Sequence, residues 1–194
     1  MQIEHYGYEF HFPTQGSPLP LSDWEIVGMA AWLWARSKLH RPWNIAMFEQ
    51  EVMDSVQLQQ FVLTTHRECP VGYLAWGRLS EEAEVKYIAN PNSLSLQDKS
   101  SGSYLWLLNW VAPQGGTKEF SWFARRILFQ QSVAHMLRIK LDNRGIGRLV
   151  SARGILVTRE DYAKEVVRML KSFEMGVKSR QKMKSQRDIS ATLS

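Results

Sequence analysis

The stretch Tyr104-Leu-Trp-Leu-Leu-Asn-Trp-Val111, followed by Ala112-Pro-Gln-Gly-Gly116 and Thr117-Lys-Glu-Phe-Ser-Trp-Phe123, decides the fold class. Apart from Asn109, residues 104–111 are aromatic or aliphatic, and they stop at a Pro-Gly-Gly break, so they read as the strongest strand in the chain. Thr117 can cap a helix to about Gln131, with Phe120, Phe123, Ile127 and Leu128 facing inward. Strand, glycine turn and helix in that order predict a sheet with helices packed on it.

Upstream, Ser22 and Glu25 form a capping box, and Ile26, Met29, Ala30 and Leu33 recur at helical spacing, which predicts a helix from Asp23 to Arg36. Pro42 disfavours helix at Arg41, so His40 falls in a loop just beyond that helix. Asn44 can cap a second helix to about Leu58. Phe61–Leu63 and Val71–Trp76, joined through Arg67–Pro70, read as a hairpin, and Glu84–Ile88 as a third strand. Downstream, Met136–Leu141 and Leu149–Val157 read as strands, and Thr158 can cap a last helix carrying Val166, Met169, Leu170 and Phe173. The expected architecture is α+β, one domain with a mixed, mostly antiparallel sheet flanked by helices. Its parts are an extended arm over 1–21, a folded domain over 22–175 and a flexible basic tail over 176–194.

The chain has 194 residues, 44% of them hydrophobic, which suits one core. Its longest apolar run, Ile26–Ala35, is about half of what a bilayer span needs. The start carries Glu4 and Glu9 and lacks the form of a secretory signal, so the expected location is the cytoplasm. Cys69 stands alone, which excludes an intramolecular disulfide and a cysteine metal cage, and His5, His11, His66 and His135 lack metal-ligand spacing. The net charge of +5 belongs mostly to Lys178, Arg180, Lys182, Lys184 and Arg187; without the segment 178–188 the body holds 19 basic and 18 acidic residues. No aromatics alternate with those charges, so no specific nucleic-acid partner is expected, although the tail could touch an anionic membrane surface or an acidic carrier protein.

Four blocks carry a more specific signal: Trp32-Leu-Trp-Ala-Arg-Ser-Lys-Leu-His-Arg-Pro-Trp43, Pro70-Val-Gly-Tyr-Leu-Ala-Trp76, Glu84-Val-Lys-Tyr87 and Trp106-Leu-Leu-Asn-Trp-Val-Ala-Pro113. In this order and spacing the chain resembles the toxin-activating lysine acyltransferases of the hemolysin C type, from about Leu21 to Arg153. The resemblance implies a GNAT-like acyltransferase fold and a homodimer. It implies an acyl carrier protein thioester as donor, with no tightly bound cofactor, and an internal lysine of an RTX-type protoxin as acceptor. It places the catalytic histidine at His40 and the nearby serine at Ser37. The family's aspartate falls on Asn109, where this chain departs from the pattern.

The residues bear on that chemistry in their own right. A lysine amine is protonated near neutral pH, so its attack on a thioester needs a base, and histidine titrates in the useful range. An asparagine carbonyl can accept the Nδ1 proton of such a histidine but brings no charge. Three readings of Asn109 follow: a slower enzyme, an enzyme that uses another carboxylate such as Asp98 or Glu119, or a toxin-binding, chaperone-like relative with weak catalysis. Gly115 and Gly116, between strand and helix, occupy the type of junction that meets an anionic donor group. A plain helix-start turn reads equally well there.

Overall fold

A computed structural model describes residues 1–14, 16, 18–138 and 148–192. It is α+β, built on one sheet of seven strands in sequential order: β1 (Gln2–His5), β2 (Tyr8–His11), β3 (Phe61–His66), β4 (Cys69–Leu79), β5 (Tyr104–Val111), β6 (Val133–Arg138) and β7 (Arg148–Arg153). All neighbours are antiparallel except β5 and β6. The capping box at Ser22 starts α1 (Asp23–Arg36), and Asn44 Oδ1 caps α2 (Ile45–Phe48), which continues through a π-helical turn (Glu49–Met53) into α3 (Asp54–Gln57). These helices pack Ile26, Leu33, Val52 and Val56 onto Phe61, Tyr73, Ala75 and Val111 of the sheet. The opposite face is covered by α5 (Thr117–Phe123) and its π-helical extension (Ala124–Leu128), which bury Phe120 and Phe123 against Phe10, Val62 and Leu74.

Several elements differ from the sequence expectation. The arm holds a hairpin, β1–β2, turned at Tyr6 and Gly7 with φ of +50° and +76°, the pair of left-handed residues that a two-residue hairpin turn requires. Its second strand pairs with β3 and buries Phe10. The segment expected as a third strand, Glu84–Ile88, lies within helix α4 (Glu81–Ala89). Ser80 caps it, its Oγ accepting from the Ala83 amide at 3.2 Å, and Glu81, Glu82 and Glu84 fall in the first turn, where carboxylates suit the positive end of the helix. Thr117 is the first helical residue of α5 and Gly116, at φ +80°, is its cap. β7 stops at Arg153, and Gly154 packs so closely on the Phe129 carbonyl that a Cβ there would lie 2.0 Å from it. β6 starts at Val133, and residues 139–141 of the expected strand lie outside the described residues.

The last helix, α6 (Arg159–Thr192), opens with Thr158 Oγ1 accepting from the Asp161 amide and runs through the segment expected as a flexible tail. Gly176 does not stop it, because a Cβ there would sit 2.6 Å from Cβ of Ile88; the glycine lets α6 close on α4. Among the described residues, no helix is long and apolar enough to cross a membrane.

Candidate active site

Helix α1 ends where Ser37 leaves helical geometry, and the chain then closes a tight turn, with the Arg41 amide bonded to the Ser37 carbonyl at 2.9 Å and the Trp43 amide to the His40 carbonyl at 2.9 Å. This turn folds His40 back onto its own helix. Its Nδ1 lies 2.7 Å from Ser37 Oγ, and its ring is wedged between Trp34 and Trp43, at centroid distances of 4.9 and 4.8 Å. His40 is 4% exposed, and burial pushes its pKa down to about 4, so the imidazole is neutral near pH 7. The tautomer in which Nδ1–H donates to Ser37 leaves the Nε2 lone pair available to take a proton.

The second half of the site comes from a fork in the sheet. Among the described residues, β5 and β6 pair only at Leu105↔Ala134 and Trp106↔His135, while β5 continues to Val111. Beyond Trp106 the two strands part. A groove of about 580 Å³ opens between them, lined by Leu107 to Pro113 on one side, Ala134, Met136, Leu137 and Arg138 on the other, and Ser37, Leu39, His40 and Trp43 at its edge. The β4–β5 register shifts between Ala75 and Trp76, leaving Leu108 as an extra residue in β5. This bulge turns Asn109 to the face of its partner Ala75, towards the helices.

His40, Ser37 and Asn109 therefore line one groove. The expected histidine–asparagine hydrogen bond is replaced: Nδ1 of His40 is engaged by Ser37, which lies three residues away on the same turn. Asn109 is 3% exposed, and its Oδ1 has no hydrogen-bond partner among the described residues. Its side chain lies near the Glu51 carboxyl, in the π-helical turn, and helps to hold that group's pKa down. Neither alternative carboxylate reaches the groove: Asp98 pairs with Lys86 at 2.7 Å, and Glu119 lies on α5 between the lining residues Thr117 and Ser121. Gly115 and Gly116 have φ of +104° and +80° and form the turn between β5 and α5. The Gly115 amide bonds back to the Ala112 carbonyl at 3.4 Å, while the flanking Ala112, Pro113 and Thr117 touch the groove.

Glu51 escaped the sequence reading. Burial pushes its carboxyl pKa up to about 7, against the pull of Lys99 and of Asn109, with Asp54 pushing it further up. The one visible signal was a carboxylate three residues beyond Phe48 on the side of the helix that also carries Ser55, next to the apolar stripe Phe48, Val52 and Val56. Outside the groove, Lys118, Arg125 and Arg126 border a shallow depression of about 500 Å³ with Thr117, Ser121 and Trp122, and Thr117 and Ser121 also line the groove.

A family model described as the RTX toxin acyltransferase family matches residues 19–151. The chain is 33% identical over 150 residues to protein-lysine myristoyltransferase RtxC of Kingella kingae, an alignment covering 74% of this chain and 89% of that protein. It is 27% identical over 139 residues to the RTX-II toxin-activating lysine-acyltransferase ApxIIC of Actinobacillus pleuropneumoniae, covering 72% and 86%. Over 91 residues it is 43% identical to protein-lysine myristoyltransferase HlyC of Escherichia coli, covering 47% and 54%.

Proposed function

Because the chain belongs to the RTX toxin acyltransferase family, we propose that it moves a fatty-acyl group from a carrier-bound thioester to a lysine amine of an RTX-type protoxin, with His40 as the base. The observation that carries this reading is a neutral imidazole, fixed at Nδ1 by Ser37, on the edge of a mostly apolar groove. Such a groove can hold an acyl chain, gaining about 0.8 kcal/mol for each methylene removed from water. The acceptor lysine attacks the thioester carbonyl as the free amine, His40 takes a proton from that nitrogen as the bond forms and makes it acidic, and the tetrahedral intermediate expels the carrier thiol, which leaves with the proton. The backbone amides along β5 that the fork leaves without a β6 partner are suited to the oxyanion.

The donor in this reading is acyl carrier protein. Lys118, Arg125 and Arg126 beside the groove offer a basic rim that an acidic carrier would meet, and the phosphopantetheine arm would enter past the Ala112–Gly116 turn. The reaction belongs in the cytoplasm, where Cys69, an exposed free thiol, stays reduced. The test is transfer from acyl carrier protein to a lysine-containing acceptor, read by mass spectrometry. His40→Ala should lower the rate by about 10²-fold or more. An unimpaired His40→Ala enzyme would end the assignment, and a stable complex with the acceptor that never yields acyl-lysine would favour a chaperone-like binder.

A further inference from the structure

The fork between β5 and β6 is a gap through the sheet, and the groove it opens belongs to both faces. Asn109 and Val111 of β5 pair with Ala75 and Tyr73, on the face that carries α1 and the tryptophans flanking His40. Leu107 and Trp110 pair with Trp76 and Leu74, on the face that α5 covers. Ala134 lies on that second face, and β7 sets Ala152 directly opposite it. All six of these β5, β6 and β7 residues line the groove, so it joins the base on one face to the space beneath α5 on the other. Leu107, Trp110, Ser121, Ala134 and Ala152 also line a second, mostly apolar pocket of about 40 Å³, whose further walls include Ala124, Phe129 and Gly154. That is room for about three groups the size of a water or a methylene. Its back wall is fixed. Phe129 is buried edge-on against Trp76 at 5.1 Å with its amide bonded to the Ala124 carbonyl at 2.8 Å, and the Gly154 amide is bonded to the Ser132 carbonyl at 2.9 Å. The two arginines in the lining are engaged by backbone, Arg125 Nε donating to the Arg153 carbonyl at 2.9 Å and Arg153 Nη1 to the Val157 carbonyl at 3.1 Å.

We propose that the far end of the donor's acyl chain lies in this pocket, and that the facing pair Ala134 and Ala152 determines how long a chain the enzyme accepts. This rests on the acyltransferase reading. With the thioester held at His40, the chain passes through the fork from the α1 face to the α5 face and ends against Phe129 and Gly154. A chain too short to reach leaves the pocket unfilled, and one too long meets a wall held by backbone hydrogen bonds. Each methylene that moves from water into the pocket strengthens binding by about fourfold, so the last few carbons separate chains of different length. The two alanines leave the passage open because each ends at Cβ; a larger side chain at either position takes the room of the tail. The acceptor amine meets His40 on the opposite face, so the donor tail and the acceptor do not compete for space.

Ala152→Leu tests the idea, since its added carbons take the room of about three methylenes. Ala152 is half-buried on β7, the edge strand of the sheet, where added bulk is tolerated best. With octanoyl and myristoyl thioesters of acyl carrier protein as donors, the ratio of kcat/KM for myristoyl over octanoyl should fall on the order of 50-fold in this variant. Ala134→Leu should lower the ratio in the same direction. A ratio within about twofold of wild type in both variants overturns the proposal. A second measurement uses the wild-type protein and needs no turnover. Myristoyl-pantetheine carrying a photoactivatable diazirine on its last carbon should label residues 124–134 or 150–154, read by mass spectrometry of the digested protein. Label confined to the turn 37–43, or no label at all, overturns the proposal. Label in the pocket, with neither donor used by the wild type, would end the acyltransferase reading while leaving the pocket as the seat of the hydrocarbon tail.

Discussion

At the scale of single residues, the site is governed by what burial does to charge. Among the described residues His40 has no carboxylate partner; its pKa falls to about 4 because the flanking tryptophans strip water from the ring, and the protonated form loses most by that. The folded state thus binds fewer protons at this ring than the unfolded chain between about pH 4 and 6.5, and stability falls as pH drops through that window. The difference between wild type and His40→Asn in urea unfolding should shrink by about 3 kcal/mol from pH 7 to pH 4. Glu51 pulls the other way, since its raised pKa adds stability that is present in acid and lost as pH rises through about 7, so the comparison must be made against the His40 variant. Asn109→Asp would set a second carboxyl near Glu51, so the two should titrate as a coupled pair that shares one proton near neutral pH, measured by the pH dependence of urea unfolding.

At the scale of elements, the fork between β5 and β6 is held from behind by α6. Trp106 and His135, the last paired residues before the strands part, both enter one polar network. Trp106 Nε1 donates to Glu84 at 2.8 Å, His135 meets Glu165 at 3.1 Å and Ser151 at 2.9 Å, and Arg168 joins Glu84 and Glu165 while lying over the Tyr104 ring. The Glu84 side chain is 0% exposed, so Arg168 is what makes its charge tolerable. Arg168→Met should destabilise the protein by about 3–5 kcal/mol, measured by urea unfolding, because it leaves a buried carboxylate uncompensated. Restoring stability with Glu84→Gln in the same chain would identify that charge as the cause. The misread element α4 belongs to the same network: Glu84, Tyr87 and Ile88 have a strand-like pattern in isolation, but Ser80 and the acidic first turn favour a helix, and α6 supplies the surface that buries it.

At the scale of the molecule, charge sits beside the groove as well as on α6. If the basic rim of Lys118, Arg125 and Arg126 meets an acidic carrier, Arg126→Glu should raise KM for the carrier about tenfold at low salt, and the gap should close as salt rises. Equal KM values at low salt would exclude the rim as the docking face. The sequence alone determined the helix of the capping box at Ser22, the loop that carries His40, the hairpin β3–β4, the strand 104–111 and the α+β class, because caps, proline and short-range periodicity act within a few residues. It also carried the family, through four blocks in order. Tertiary structure alone decided that the arm joins the sheet, since β2 gains its partner β3 from more than 50 residues away. It decided too that Ser37 takes the His40 Nδ1 and that the carboxyl beside Asn109 is Glu51. Those are contacts between elements remote in sequence or folded back on themselves, and pKa values set by burial, and neither exists until the chain has closed on itself and expelled water.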